Sequence, residues 1–212
     1  MHSLLRRRFN PSLKRLMTEL CSLPKKRSGG SSQIYVGNYS TSHVLNPPGN
    51  GLFRNQRKEK MLKNLGGRPA RMLLVYPDYT DRDASKRTSG GNYSEGLASI
   101  SAVLKQGGHD VKLMHLLNLH TEEAFKSRLR EMGEFDIIGF SIRTTAFPDC
   151  QLYIKWTKEV YPDTFIICGS YHPTLVPDEV LAVDGVDCVC VGDGEYAELE
   201  LCDKMRDGED YT

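Results

Sequence analysis

The chain has 212 residues, 39% of them hydrophobic, with 28 basic and 27 acidic side chains and a formal net charge of +1. This suits one ordinary domain with a real core plus extra sequence, and it excludes a small fold that depends on disulfides. With no run of about 18 apolar residues, a membrane-spanning helix is excluded as well.

The six cysteines (Cys21, Cys150, Cys168, Cys188, Cys190, Cys202) form no Cys-x-x-Cys pair, and several fall in or beside apolar runs, where a free thiol behaves as a small hydrophobe. A reducing, cytoplasmic setting is therefore expected. The near-neutral total hides a division. Residues 1–71 hold 15 lysines and arginines against only Glu19 and Glu59, whereas 72–212 hold 13 against 25 acids. The basic part is rich in Gly, Ser, Asn and Pro without sustained periodicity, so residues 1–70 read as a largely irregular, loosely packed extension. Such an arm attracts nucleic acid or an acidic surface, including the protein's own acidic half.

Within that extension, Leu4, Leu5, Phe9, Leu13, Leu16, Met17 and Leu20 alternate with basic residues. This is a weakly amphipathic basic helix, compatible with a mitochondrial transit peptide or with a plain basic terminus. Residues 21–52 read as loop, punctuated by Ser28-Gly29-Gly30 and Asn46-Pro47-Pro48-Gly49. Residues 54–65 read as a short basic helix.

From Met72 the pattern changes. Met72 to Tyr76 is a short apolar run stopped by Pro77-Asp78, as expected of a strand buried on both faces. After a polar loop over 77–93, Leu97, Ile100, Ser101 and Leu104 recur at helical spacing, and Gly107-Gly108 supplies the stop. Strands are then predicted over 111–116, 136–141, 164–168 and 187–191. Between them lie a helix capped by Thr121, a helix with Leu152, Trp156 and Val160 on one face, a short helix opened by Pro177, and a last helix over 195–206. Five strand and helix pairs require crossovers, and therefore a parallel α/β sheet covered on both faces, with its domain spanning 71–206.

In such a sheet, ligands rest beyond the carboxyl ends of the strands. The loops there exclude several chemistries. A dinucleotide site needs a glycine-rich turn directly after the first strand, but Gly90-Gly91 lies far from Tyr76. No phosphate-binding Gly-x-x-x-x-Gly-Lys-Ser/Thr loop is present, and the third strand ends in Ser141 where a phosphoacceptor receiver would carry Asp. No Gly-x-Ser-x-Gly elbow accompanies Ser141 or His172, and the cysteines and histidines are too scattered for zinc or iron–sulfur ligation. A site of backbone and small side chains remains, with hydroxyls at Ser141, Thr144, Thr145, Ser170 and Thr174 for amide or phosphate groups.

The motifs Gly96-Leu97-Ala98-Ser99-Ile100, Gly107-Gly108-His109-Asp110-Val111, Phe135-Asp136-Ile137-Ile138-Gly139-Phe140-Ser141, Gly169-Ser170-Tyr171-His172-Pro173-Thr174, Pro177-Asp178-Glu179-Val180-Leu181 and Gly192-Asp193-Gly194-Glu195 occur in one order over about residues 71–206. As a set they resemble the cobalamin-binding domain at the amino end of cobalamin-dependent radical S-adenosylmethionine enzymes. The resemblance implies a flavodoxin-like (Rossmann-like) fold of five parallel strands, with cobalamin over the carboxyl edge and its nucleotide tail inserted. Carried over, the cofactor-binding residues are Pro77, Ser141, Thr144, Thr145, Gly169, Ser170, His172, Pro173, Thr174, Gly192, Gly194 and Glu195. Ser170 stands where that family commonly has a second glycine. Residues 77–93 contain no histidine, so cobalt is expected without a ligand from the first loop, and His172 is not read as an axial ligand.

The three-cysteine motif that holds an iron–sulfur cluster and S-adenosylmethionine in such enzymes does not occur here. The resemblance therefore implies a fragment whose radical barrel lies elsewhere, with 207–212 beginning a linker and no catalysis by this part alone. Two other readings stand beside it: a non-enzymatic interaction module with a basic arm, and a free-standing cobalamin carrier or sensor.

Overall fold

A computed structural model describes residues 51–54, 63–79 and 91–209. The amphipathic segment 1–20, the loop 21–50, most of the helix read over 54–65, the middle of the 77–93 loop and the terminal 210–212 lie outside the described residues.

The sheet is built from β1 (Gly51–Arg54), β2 (Arg71–Pro77), β3 (Asp110–Leu116), β4 (Ile137–Ser141), β5 (Phe165–Gly169) and β6 (Cys188–Val191), in the order β1-β6-β5-β4-β2-β3. The five strands from β2 onward pair in parallel, with Leu74 facing both Leu113 and Gly139 and Phe140 facing Cys168. Taken alone they run 2-1-3-4-5, the flavodoxin-like arrangement. β1 pairs antiparallel with β6 at the edge, Gly51 opposite Val191. It falls where the sequence reads as loop running into helix. Four residues show no periodicity, and it is the open hydrogen-bonding edge of β6 that recruits them.

The helices are α1 (Glu95–Gln106), α2 (Glu122–Met132), α3 (Phe147–Val160), α4 (Tyr171–Leu175), α5 (Pro177–Leu181) and α6 (Glu195–Asp207). Ser94 caps α1 by accepting from the Leu97 amide, and Thr121 caps α2 by accepting from Ala124, so each side chain satisfies an orphan donor of a first turn. α4 falls within the stretch read as a loop.

Alternation along the strands divides the core into two layers. Leu73, Val75, Ile138, Phe140, Ile166, Cys168 and Val189 pack under α2, α3 and α5, with Phe125 and Tyr153 stacked at 4.6 Å. Met72, Leu74, Ile137, Ile167, Cys188 and Cys190 face α1 and α6, meeting Leu104, Ala197, Leu201 and Met205. The buried face of α3 is Cys150, Tyr153, Ile154 and Thr157, whereas Leu152 is 47% exposed. Of the expected face, Trp156 and Val160 pack partly buried against the same cluster, and only Leu152 turns outward.

Residues 63–70, on the extension side of the expected boundary, are docked against α6. The Leu65 amide donates to Met205 O and the Gly67 amide to Arg206 O, while Leu65 and Ala70 are buried. Buried His109 accepts from the Ala70 amide at Nδ1, which leaves Nε2–H to donate to Asp203 at 3.1 Å.

Candidate functional site

At the carboxyl edge, on the α1/α6 face, the sheet and the first turns of these two helices enclose a cavity of about 760 Å³. Its walls come from β2 (Leu74, Tyr76), the end of β5, Cys190 of β6, Leu97 and Ile100 of α1, and Glu198 of α6. The crevice arises because β2 sends its chain to α1 on one face while β4 sends its chain to α3 on the other, so the connections part and leave the strand ends open. Exposed Tyr93, Tyr171 and Leu175 stand at the mouth. A second cavity of about 490 Å³ adjoins the first, sharing Leu74, Tyr76, Tyr93, Ser94 and Leu97.

Seven residues expected at the site line the cavity: Ser141, Gly169, Ser170, Thr174, Gly192, Gly194 and Glu195. Pro77, Thr144, Thr145, His172 and Pro173 do not. Pro77 is buried and its carbonyl accepts from Arg143 at 3.1 Å, while Thr144 and Thr145 are exposed in a 3₁₀ turn. His172 and Pro173 are buried in the core, the His172 ring 4.2 Å from Phe147. The reason is that Tyr171–Leu175 is helical. One turn of helix points Ser170, Tyr171, Thr174 and Leu175 to the cavity and the two residues between them inward.

Thr174 joins two loops. Its hydroxyl donates to Ser170 O at 2.8 Å and accepts from the Gly192 amide at 3.1 Å. Ser170 has φ 86° and ψ −161°, a conformation that glycine enters freely and a side chain does not.

Asp78, directly after β2, organises one side. It accepts from the Asn92 amide, from Asn92 Nδ2 at 3.0 Å and from His115 Nε2 at 2.9 Å, with Arg143 Nη2 at 3.5 Å. Burial pushes the Asp78 carboxyl up, but the hydrogen bonds from Asn92 and His115 and the Arg143 charge together hold it below its ordinary value. Arg143 lies over the Tyr76 ring at 5.9 Å and brings a guanidinium to the cavity wall. Asp78 and Arg143 carry no sequence signal beyond following strands, because their pairing crosses between chain segments.

Glu198 has a different character. It is 6% exposed, and its Oε2 has no hydrogen-bond partner among the described residues. Burial first, and the neighbouring Glu195 second, push its carboxyl up to about 8. Cys190 is buried too, and burial holds its thiol well above the ordinary value, leaving an uncharged apolar wall. No helix among the described residues is long and apolar enough to cross a membrane.

A family model described as the B12 binding domain matches residues 90–202, just over half of the chain. An uncharacterized methyltransferase of Pyrococcus horikoshii is 28% identical over 144 residues, covering 66% of this chain and 30% of that protein. The hopanoid C-3 methylase of Methylococcus capsulatus is 28% identical over 115 residues, covering 52% of this chain and 22% of the methylase. This chain thus spans less than a third of the length of either relative. Among solved structures, the receiver domain of NtrC4 from Aquifex aeolicus aligns with 64% of this chain and 93% of its own length, at 17% identity and a TM-score of 0.38.

Proposed function

The chain belongs to the B12-binding domain family, and from that premise we propose that residues 71–206 hold cobalamin for a methyl-transferring enzyme of the radical S-adenosylmethionine type. The observation that carries this reading is the cavity at the carboxyl edge, whose lining joins apolar side chains of the sheet and α1 to aromatic, hydroxyl and charged ones. The names of the two relatives, a methyltransferase and a methylase, support methyl transfer. In this proposal the iron–sulfur cluster and S-adenosylmethionine belong to a barrel beyond this sequence.

The residues present fit a large group that is flat and apolar at its inserted end and amide-rich outside. A Cβ at Gly194 would meet Ile100 Cδ1 at 3.2 Å and Cys190 Sγ at 3.6 Å, so glycine there leaves the cavity its depth. Leu97, Ile100, Ile167 and Cys190 would hold the inserted tail. Ser94, Ser141 and Arg143 would offer hydrogen bonds to amide and phosphate groups, and Tyr93, Tyr171 and Leu175 would exclude water from the macrocycle. When bound, cobalamin supplies a cobalt centre able to carry a methyl group. This chain's residues bind and orient it. The described cysteines are free and buried, which fits a reducing compartment.

The test is retention of corrin. Purified protein mixed with hydroxocobalamin and desalted is expected to keep about one equivalent, read from its visible spectrum. Corrin-free protein that retains its far-ultraviolet circular dichroism would overturn the reading.

A further inference from the structure

Glu198 sits one turn inside α6 and lines the cavity. Gly194 leaves room beside it: a Cβ there would lie 3.1 Å from Glu198 Oε1. Ile100 and Cys190 lie beside the same Gly194 position, and Leu74, Leu97 and Ile167 line the same cavity. No salt bridge reaches Glu198 among the described residues, and Oε2 is buried without a partner.

A buried carboxylate without a cation is costly, and so is a buried polar atom without a hydrogen bond. The fold relieves the first cost by keeping the proton on, since burial and Glu195 push this carboxyl to about 8. The second cost stays. At neutral pH the carboxyl of this lining residue therefore carries one O–H that no acceptor among the described residues receives. A buried group of this kind is completed by a water, an ion or a ligand.

We propose that Glu198 is a recognition residue whose carboxylic acid donates a hydrogen bond to an unprotonated ring nitrogen of a flat heteroaromatic base entering the cavity. Resting on the cobalamin reading above, that base is the benzimidazole of the nucleotide tail. The surroundings select this class. A sugar or an amide would bring several polar groups among Leu74, Leu97, Ile100 and Ile167 and leave most of them unpaired, whereas a benzimidazole brings apolar faces and a single acceptor. The lone pair that Glu198 engages is also withheld from cobalt, so the hydrogen bond has a spectroscopic consequence apart from affinity.

The experiment compares full-length wild type, E198L and E198Q against two probes: hydroxocobalamin, and cobinamide, which has the same corrin but no nucleotide. Dissociation constants come from equilibrium dialysis, and visible spectra are taken on the bound corrins. E198L is expected to bind hydroxocobalamin roughly tenfold more weakly, the worth of about one lost hydrogen bond, and cobinamide with unchanged affinity. Corrin retained by E198L shifts toward the spectrum of base-coordinated cobalt. E198Q keeps a donor and stays within about threefold of wild type for both probes. Thermal melts supply the folding control, with E198L unfolding no earlier than wild type because it removes an unpaired buried group. Equal losses for both probes, or no loss for hydroxocobalamin, reject the role of Glu198 while leaving cobalamin binding intact. Failure of folded wild type to bind either probe rejects both proposals.

Discussion

Ser170 shows what one side chain does to this edge. Its φ of 86° with ψ of −161° falls in a region nearly reserved for glycine, where a side chain costs about 1–3 kcal/mol. Replacing Ser170 with Gly removes that strain and offsets part of the gain through greater freedom of the unfolded chain. S170G is expected to be more stable by about 1 kcal/mol, seen as a higher denaturant midpoint at unchanged slope. Unchanged or lower stability would mean that the serine hydroxyl compensates the strain. That residue 170 departs from the family glycine was visible in the sequence. That Glu198 differs from Glu195 and Glu200 was not, because acids at helical spacing look like a solvated face until Gly194 and α1 bury one of them.

Between elements, the α4–β6 junction depends on one hydroxyl. Thr174 ties α4 to the loop after β6 by donating to Ser170 O and accepting from Gly192 N. Valine keeps the shape and deletes both bonds, leaving the Gly192 amide without this partner. T174V is expected to lose about 1 kcal/mol of stability and to hold hydroxocobalamin several-fold more weakly, because the two loops that line the mouth are no longer fixed to each other. Wild-type affinity in T174V would dissociate this bridge from the site. The strand and cap signals at Thr121 and Gly107-Gly108 were legible because they are local. α4 was not: Tyr171-His172-Pro173-Thr174-Leu175 is too short to show a period, and its helical turn emerges from packing His172 against Phe147.

Across the whole molecule, two buried carboxyls give stability opposite dependences on pH. Asp136 is raised by burial but lowered more by its paired bonds to Arg68, both 2.7 Å, and by the Arg71 amide, and so lies below its ordinary value. Its contribution is present above the unfolded value near 3.8 and is lost as pH falls through the folded value. Arg68 is 45% exposed, which keeps that contribution modest. Glu198 acts the other way. Its folded value of about 8 exceeds the ordinary 4.5, so its contribution is complete below 4.5 and is lost as pH rises through about 8. The groups facing it, Glu195 on its own helix and the Cys190 thiol on β6, supply no positive charge to reverse this. Wild type is therefore expected to lose up to a few kcal/mol between pH 5 and 9, measured by denaturant titration, and E198Q to lack that slope. Equal slopes in the two proteins would show that Glu198 does not titrate in this range.

The sequence by itself determined the parallel α/β architecture, the order of its elements and the loops that meet at the carboxyl edge, because apolar runs, helical spacing, caps and glycine stops are local signals. Tertiary structure alone decided three things: that β1 closes the sheet edge, that His172 and Pro173 turn away from the cavity, and that Glu198 lines it as a buried acid without a partner among the described residues. Each depends on which surfaces meet across distant segments, and burial is a property of that meeting rather than of the residue.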